Sequence, residues 1–136
     1  MFSHVTVGCN DLERACAFYD AVLITIGLHR RAVTPDGGPA AACWVSPEAT
    51  LPRFYVYTPF DGKPATVGNG GMVAFAAPSA EAVNRAYAAG MAAGGTGDGA
   101  PGPRSHYGIG YFGAYLRDAD GNKVHIAFRG DLQLSG

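Results

Sequence analysis

The densest group of polar and aromatic side chains in the sequence is Arg104-Ser105-His106-Tyr107, followed by Tyr111 and Tyr115. A guanidinium grips a carboxylate through two parallel hydrogen bonds. An imidazole beside it donates a hydrogen bond or serves as a general base. Arg104 and His106 are therefore candidates for anchoring a ligand and moving a proton, with Tyr107 and Tyr111 as ligand contacts. The same group also reads as a loop rim with aromatic packing. A second aromatic set, Trp44, Phe54, Tyr55 and Tyr57, falls on strand-like runs, where such residues line either a pocket wall or a core. His4 stands alone on the first apolar run, and a lone strand histidine is ordinarily hydrogen-bonded in place. Met72 reads most simply as a core or pocket-lining residue.

Other motifs fail on context. Gly108-Ile109-Gly110-Tyr111-Phe112-Gly113 matches G-x-G-x-x-G but leads into an aromatic strand, whereas a dinucleotide site needs a helix N-terminus there. Asp118-Ala119-Asp120-Gly121 resembles the start of a calcium loop. Its glycine comes too early and no glutamate closes it, so it reads as a hairpin turn. No Ser-His-Asp or Cys-His nucleophile can be argued from spacing. Cys9, Cys16 and Cys43 are an odd number without a C-x-x-C pair, each in or beside an apolar run, as small buried hydrophobes are.

The elements that must position these residues repeat once. Shifting the 136-residue chain by 68 positions pairs Val5 with Val73, Glu13 with Glu81, Tyr19 with Tyr87, Gly27 with Gly95 and Val56 with Val124. Each half opens with a short strand, Val5–Val7 or Val73–Phe75. A helix follows, started by Asn10 with Glu13 in capping-box spacing or by Pro78-Ser79, and stopped at Gly27 or Gly94-Gly95. Strand-like runs come next: Leu28–Thr34, Ala41–Ser46 and Phe54–Thr58 in the first half, and the hairpin Tyr111–Arg117 with Lys123–Phe128 in the second. The Gly/Pro-rich stretch Thr96–Arg104 reads as a loop. Segment 59–71 is the linker between modules of about 1–60 and 68–130. Modules of this size are marginal alone. The expected fold is α+β, with tandem βαβββ modules forming one domain over 1–136 around a curved, cup-shaped mixed sheet, helices outside.

Composition narrows the partners. Ten Lys+Arg against eleven Asp+Glu leave no basic field for nucleic acid. The sequence has no apolar run long enough to cross a membrane and no visible signal peptide, so a cytoplasmic setting is expected. A charged fraction of 15% leaves room for a buried subunit interface.

The duplicated modules, Ser3-His4-Val5-Thr6-Val7 leading to Phe18-Tyr19, and the hairpin Arg117-Asp118-Ala119-Asp120-Gly121-Asn122-Lys123 resemble the vicinal-oxygen-chelate superfamily. This is the group of glyoxalase I, bleomycin-resistance proteins and extradiol dioxygenases. Ala76-Ala77-Pro78-Ser79, Gly94-Gly95 and Ala100-Pro101-Gly102-Pro103-Arg104 resemble a bacterial glyoxalase-like subgroup. The resemblance implies a homodimer and a cup that holds one divalent metal (Fe, Mn, Ni, Co or Zn). Its ligands come from the first and last strands of each module. Carried onto this chain the ligand positions are His4, Tyr57, Met72 and His125. His4 and His125 are good ligands; Met72 is a soft thioether and Tyr57 an uncommon ligand for such metals. The glutamate that is ligand and base in glyoxalase I has no counterpart at position 125. Two functions follow as expectations. One is a lyase- or dioxygenase-type enzyme of lactoylglutathione-lyase character, acting on a small oxygen-rich molecule, with Tyr57 or His106 assisting proton transfer. The other is a metal-free protein of the bleomycin-resistance type that binds or sequesters a small molecule, with Phe54, Met72, Arg104, Tyr107 and Tyr111 around it.

Overall fold

The computed structural model describes residues 1–133. In chain order the elements are β1 (His4–Gly8), α1 (Leu12–Ile24), β2 (His29–Arg31), β3 (Ala41–Val45), β4 (Arg53–Tyr57), β5 (Val73–Ala76), α2 (Ala80–Ala92), β6 (Thr96–Pro103), β7 (Tyr111–Arg117), β8 (Lys123–Arg129) and α3 (Gly130–Gln133). Each βαβββ unit forms a four-stranded mixed sheet, in the order β1-β4-β3-β2 and β5-β8-β7-β6. The parallel pairs are β1 with β4 and β5 with β8; the rest are antiparallel. The ladders end at β1 and at β5, so the mixed sheet is two four-stranded halves joined by packing.

The helices form where apolar residues recur on one stripe. Ala15, Cys16, Phe18, Tyr19, Val22 and Leu23 are the buried residues of α1. Asp11, rather than Asn10, caps that helix, its Oδ1 accepting from the Arg14 amide at 3.1 Å. Asn10 is held elsewhere: its amide donates to Asp120 Oδ1, and its own Oδ1 accepts from the Ala65 amide at 2.7 Å. Ser79 caps α2 as the sequence suggests. One core runs through both units, with Trp44, Tyr19, Phe18, Leu23, Leu116 and Ile126 among its largest side chains. Full burial of each such side chain is worth about 1.5–3 kcal/mol.

Two further readings change. The stretch read as a loop over Thr96–Arg104 is an edge strand over Thr96–Pro103. Its glycines are there for packing: a Cβ on Gly99 would lie 2.9 Å from the Tyr115 ring, and one on Gly97 would collide with the Tyr87 hydroxyl. Its prolines are tolerated because an edge strand leaves some amides unpaired in the ladder. The 68-residue shift holds through both helices but has slipped by two residues at the last strand. Val5 pairs with Phe54 while Val73 pairs with Val124, so Phe54, not Val56, is the counterpart of Val124. Extra residues in the second module's connections displace the register.

The hairpin after β7 clasps the first module. Asp118, only 3% exposed, accepts the Tyr19 hydroxyl at 2.7 Å and the Asn122 side-chain amide at 2.9 Å. Its other oxygen takes the backbone amides of Asp120 and Asn122. Asn122 in turn donates to the Gly8 carbonyl of β1. Burial, reinforced by Asp118, holds the Tyr19 hydroxyl well above its ordinary pKa, so it is a permanent donor.

Candidate functional site

Alternation along each strand puts one set of side chains against the helices and the other on the opposite face. On the opposite face of the first sheet, His4 and Thr6 of β1, Tyr55 and Tyr57 of β4, and Ala41 of β3 line a cavity of about 290 Å³. Tyr55 stands edge-on to the His4 imidazole, ring centres 5.5 Å apart. His4 Nδ1 lies 3.0 Å from Ser3 Oγ. Its Nε2, and the hydroxyls of Thr6 and Tyr57, have no hydrogen-bond partner among the described residues. Arg53, opposite His4 in the ladder, donates from Nη1 to the Tyr55 hydroxyl at 3.4 Å. That bond raises the Arg53 pKa further. Thr6 also lines a second cleft of about 280 Å³, walled by the linker at Thr66–Gly68 and by Met72, Asn122 and Lys123. The two cavities share Thr6, so side chains of both modules meet there.

The matching place in the second module is filled. Thr6 pairs with Tyr55, and its counterpart Ala74 pairs with His125. The positional partner of His125 is therefore Tyr55, not Tyr57, whose own counterpart is Ala127. His125 is 2% exposed and has both ring nitrogens engaged. Nδ1 lies 2.9 Å from the Ala114 carbonyl, which can only accept, so Nδ1 carries the proton. Nε2 then accepts the Tyr111 hydroxyl at 2.7 Å. The imidazole stacks between Tyr115, at 4.1 Å and 14°, and Tyr111, at 5.9 Å and 11°. Gly113 makes room for it, since a Cβ there would lie 2.6 Å from His125 Cε1. Tyr107 shares a hydrogen bond with the Tyr115 hydroxyl, which together with burial pushes the Tyr115 pKa up to about 12. Burial likewise raises Tyr111.

Burial lowers the His125 pKa, with the charges of Arg104 and Lys123 adding to the effect against the opposing bond to Ala114. The unfolded chain takes up a proton near the ordinary histidine value of 6.5, while the folded chain resists it. The stability that a neutral His125 contributes is therefore complete above about pH 6.5 and lost as pH falls through its own lower pKa. Thermal melts are expected to show Tm falling between pH 7 and 5, and falling less in His125→Gln. A variant with the same pH slope as the parent would contradict this.

The remaining candidates are scattered. Phe54 is not a pocket residue: it is 4% exposed and packs against Tyr19, Trp44 and Phe75 on the helix side. Arg104 directs its guanidinium to the carbonyls of Ala100, Gly102 and Pro103 and lies over Tyr115. It fastens the edge strand rather than offering an open fork. His106 and Tyr107 pack on each other at the surface, ring centres 4.0 Å apart. Met72 is half-exposed in the second cleft, apart from His4's pocket. Of the aromatic set, Tyr55 and Tyr57 line the pocket, and Thr6 is the pocket residue the sequence reading passes over. Its signal is the i, i+2 alternation with His4.

These donors do not fit a first-row divalent centre. The only free lone pair on His125 accepts a hydroxyl from Tyr111, Met72 is a thioether, and the position matching His125 is a tyrosine bonded to an arginine. Among the described residues no group of three or more His, Cys, Asp or Glu is placed to hold an ion. No helix among them is long and apolar enough to cross a membrane.

Fold and sequence agree with known proteins. Residues 1–126 match the model of the Glyoxalase/Bleomycin resistance protein/Dioxygenase superfamily. A glyoxalase/bleomycin resistance protein from Albidiferax ferrireducens T118 is 43% identical, with a TM-score of 0.80 over 95% of this chain and 98% of its own. A glyoxalase-related enzyme from Fulvimarina pelagi shares the fold at 20% identity, with a TM-score of 0.70 over 95% of this chain and 88% of its own. So does a lactoylglutathione lyase from Agrobacterium tumefaciens, at 18% identity and a TM-score of 0.64 over 95% of this chain and 93% of its own. No curated protein matches by sequence. With the duplicated βαβββ units, the paired sheets and the family match over nearly its whole length, the chain belongs to the glyoxalase/bleomycin resistance protein/dioxygenase superfamily.

Proposed function

We propose that this protein binds a small molecule without a metal, in the manner of the superfamily's binding branch, within the pocket of His4, Thr6, Tyr55 and Tyr57. The observation that carries the reading is His125. At the position where the superfamily places a metal ligand, this imidazole is buried, stacked and hydrogen-bonded through both nitrogens. Recruiting it to a metal would require breaking its bond to Tyr111 and opening a three-ring stack. Across the pseudo-symmetric fold, the equivalent pocket offers hydroxyl and imidazole groups between aromatic rings, which suits a planar, oxygen-bearing ligand. Ring contacts supply affinity and the Thr6, Tyr57 and His4 groups supply orientation.

A thermal-shift screen of planar phenols and aryl acids, run with excess EDTA, tests this reading. At least one compound is expected to raise Tm, and Tyr55→Ala is expected to weaken its binding about tenfold or more, as loss of an aromatic anchor does. Shifts that appear only after metal is added would overturn it.

A further inference from the structure

The balanced net charge of −1 conceals a separation of charge between the two faces of the fold. On the helix side Arg14, Arg30 and Arg85 are each paired with a carboxylate: Asp120, Asp20 and Glu81. The strand positions facing away from the helices carry Arg31, Arg53, Arg117, Lys123 and Arg129. Arg104 lies over Tyr115 on that same side. Among the described residues, two carboxylates form ion pairs with these six cations, and Glu48 lines the same surface recess as Arg31. Asp98 is shared between Arg117 and Lys123, and Asp131 holds Arg129. Arg53 and Arg104 bond to neutral oxygens, so their charge is unbalanced locally. Fixed charge of one sign on a concave, partly apolar surface focuses its field into the cavity.

Two of these cations bracket the candidate pocket: Arg53, without a carboxylate partner, and Lys123, which has only a share of Asp98. Arg53 stands beside His4 and touches the hydroxyl of Tyr55, while Lys123 lines the cleft that shares Thr6 with the pocket. Among the described residues no Asp or Glu lines either cavity. Resting on the binding function proposed above, we infer that the ligand is a planar anion, of the aryl-carboxylate class. Its ring lies against Tyr55 and Tyr57, and its charge is met by Arg53 at one end of the pocket and by Lys123 across Thr6. Both side chains are long enough to follow a bound carboxylate without rearranging the strands that carry them.

Isothermal titration of the full chain in EDTA at pH 7 tests the inference with two near-isosteric probes, 4-hydroxybenzoate and 4-hydroxybenzamide. The acid is expected to bind about tenfold more tightly than the amide. Raising the salt from about 0.05 M to 0.5 M should weaken the acid and leave the amide unchanged. Arg53→Gln and Lys123→Gln should each reduce the preference several-fold, and the double variant should abolish it. Both side chains are solvent-exposed in part, so melting curves matching the parent will establish that the variants are folded. An amide that binds as well as the acid in EDTA would overturn the anionic assignment and leave the metal-free reading intact. So would a preference untouched by both substitutions. Binding of neither probe would overturn the assignment as well. Binding of either probe only after Zn or Ni is supplied would instead overturn the metal-free reading itself.

Discussion

Asp118→Ala is expected to destabilise the protein by about 3 kcal/mol, lowering Tm by roughly 10 °C for a domain of this size. The carboxylate is buried and accepts four hydrogen bonds, from the Tyr19 hydroxyl, the Asn122 side chain and the amides of Asp120 and Asn122. Removing it leaves the Tyr19 hydroxyl unpartnered inside the core, and a buried unsatisfied donor costs about 1–3 kcal/mol by itself. It also loosens Asn122, whose amide reaches across to β1. Because Tyr19 belongs to the first module and Asp118 to the second, both units should melt together at the lower temperature. Asp118→Asn keeps the one oxygen that takes the backbone amides of Asp120 and Asn122 and should cost less. Urea unfolding followed by circular dichroism measures both; an alanine variant within about 0.5 kcal/mol of the parent would show that the clasp does not hold the modules.

Gly95→Ala is expected to cost about 2–3 kcal/mol, in the upper part of the range for overpacking. A Cβ there would lie 2.5 Å from Phe18 Cε2, 2.8 Å from the Gly90 carbonyl oxygen and 3.1 Å from that of Arg117. A side chain could rotate away; two backbone carbonyls cannot. Gly27 is the informative contrast. Its φ is +92° and a Cβ added there would meet nothing within 4 Å, so Gly27→Ala should cost only the backbone preference, about 1 kcal/mol. Equal losses at the two glycines in matched thermal melts would refute the packing argument.

These two glycines also show how much of the molecule the sequence reveals. The 68-residue repeat aligns them, and as marks near helix ends both were legible. Their reasons differ: Gly27 is a turn, whereas at the second helix Gly94 makes the turn, with φ +95°, and Gly95 admits Phe18. Only packing distinguishes the cases. Helix positions, the hairpin at 118–122 and the two-module order follow from apolar spacing and turn residues, which are local signals. The edge strand Thr96–Pro103 did not, because its glycines answer to Tyr87 and Tyr115 across the fold. The site divides in the same way. His4 and Tyr57 were legible from strand position. The matching of Tyr55 with His125 depends on a register that slips by two residues between modules. The engagement of His125 by Tyr111 is a contact between neighbouring strands that no motif encodes.

On the proposed function, the buried, doubly hydrogen-bonded His125 leaves this chain without a metal centre while its first-module pocket stays open. The most direct test is metal content by mass spectrometry after incubating the untagged protein separately with Fe(II), Mn, Ni, Co and Zn and passing it through gel filtration. Stoichiometric retention of none of the five is expected. One equivalent of a metal, retained by the parent protein and lost in both His4→Ala and His125→Ala, would contradict the proposed function.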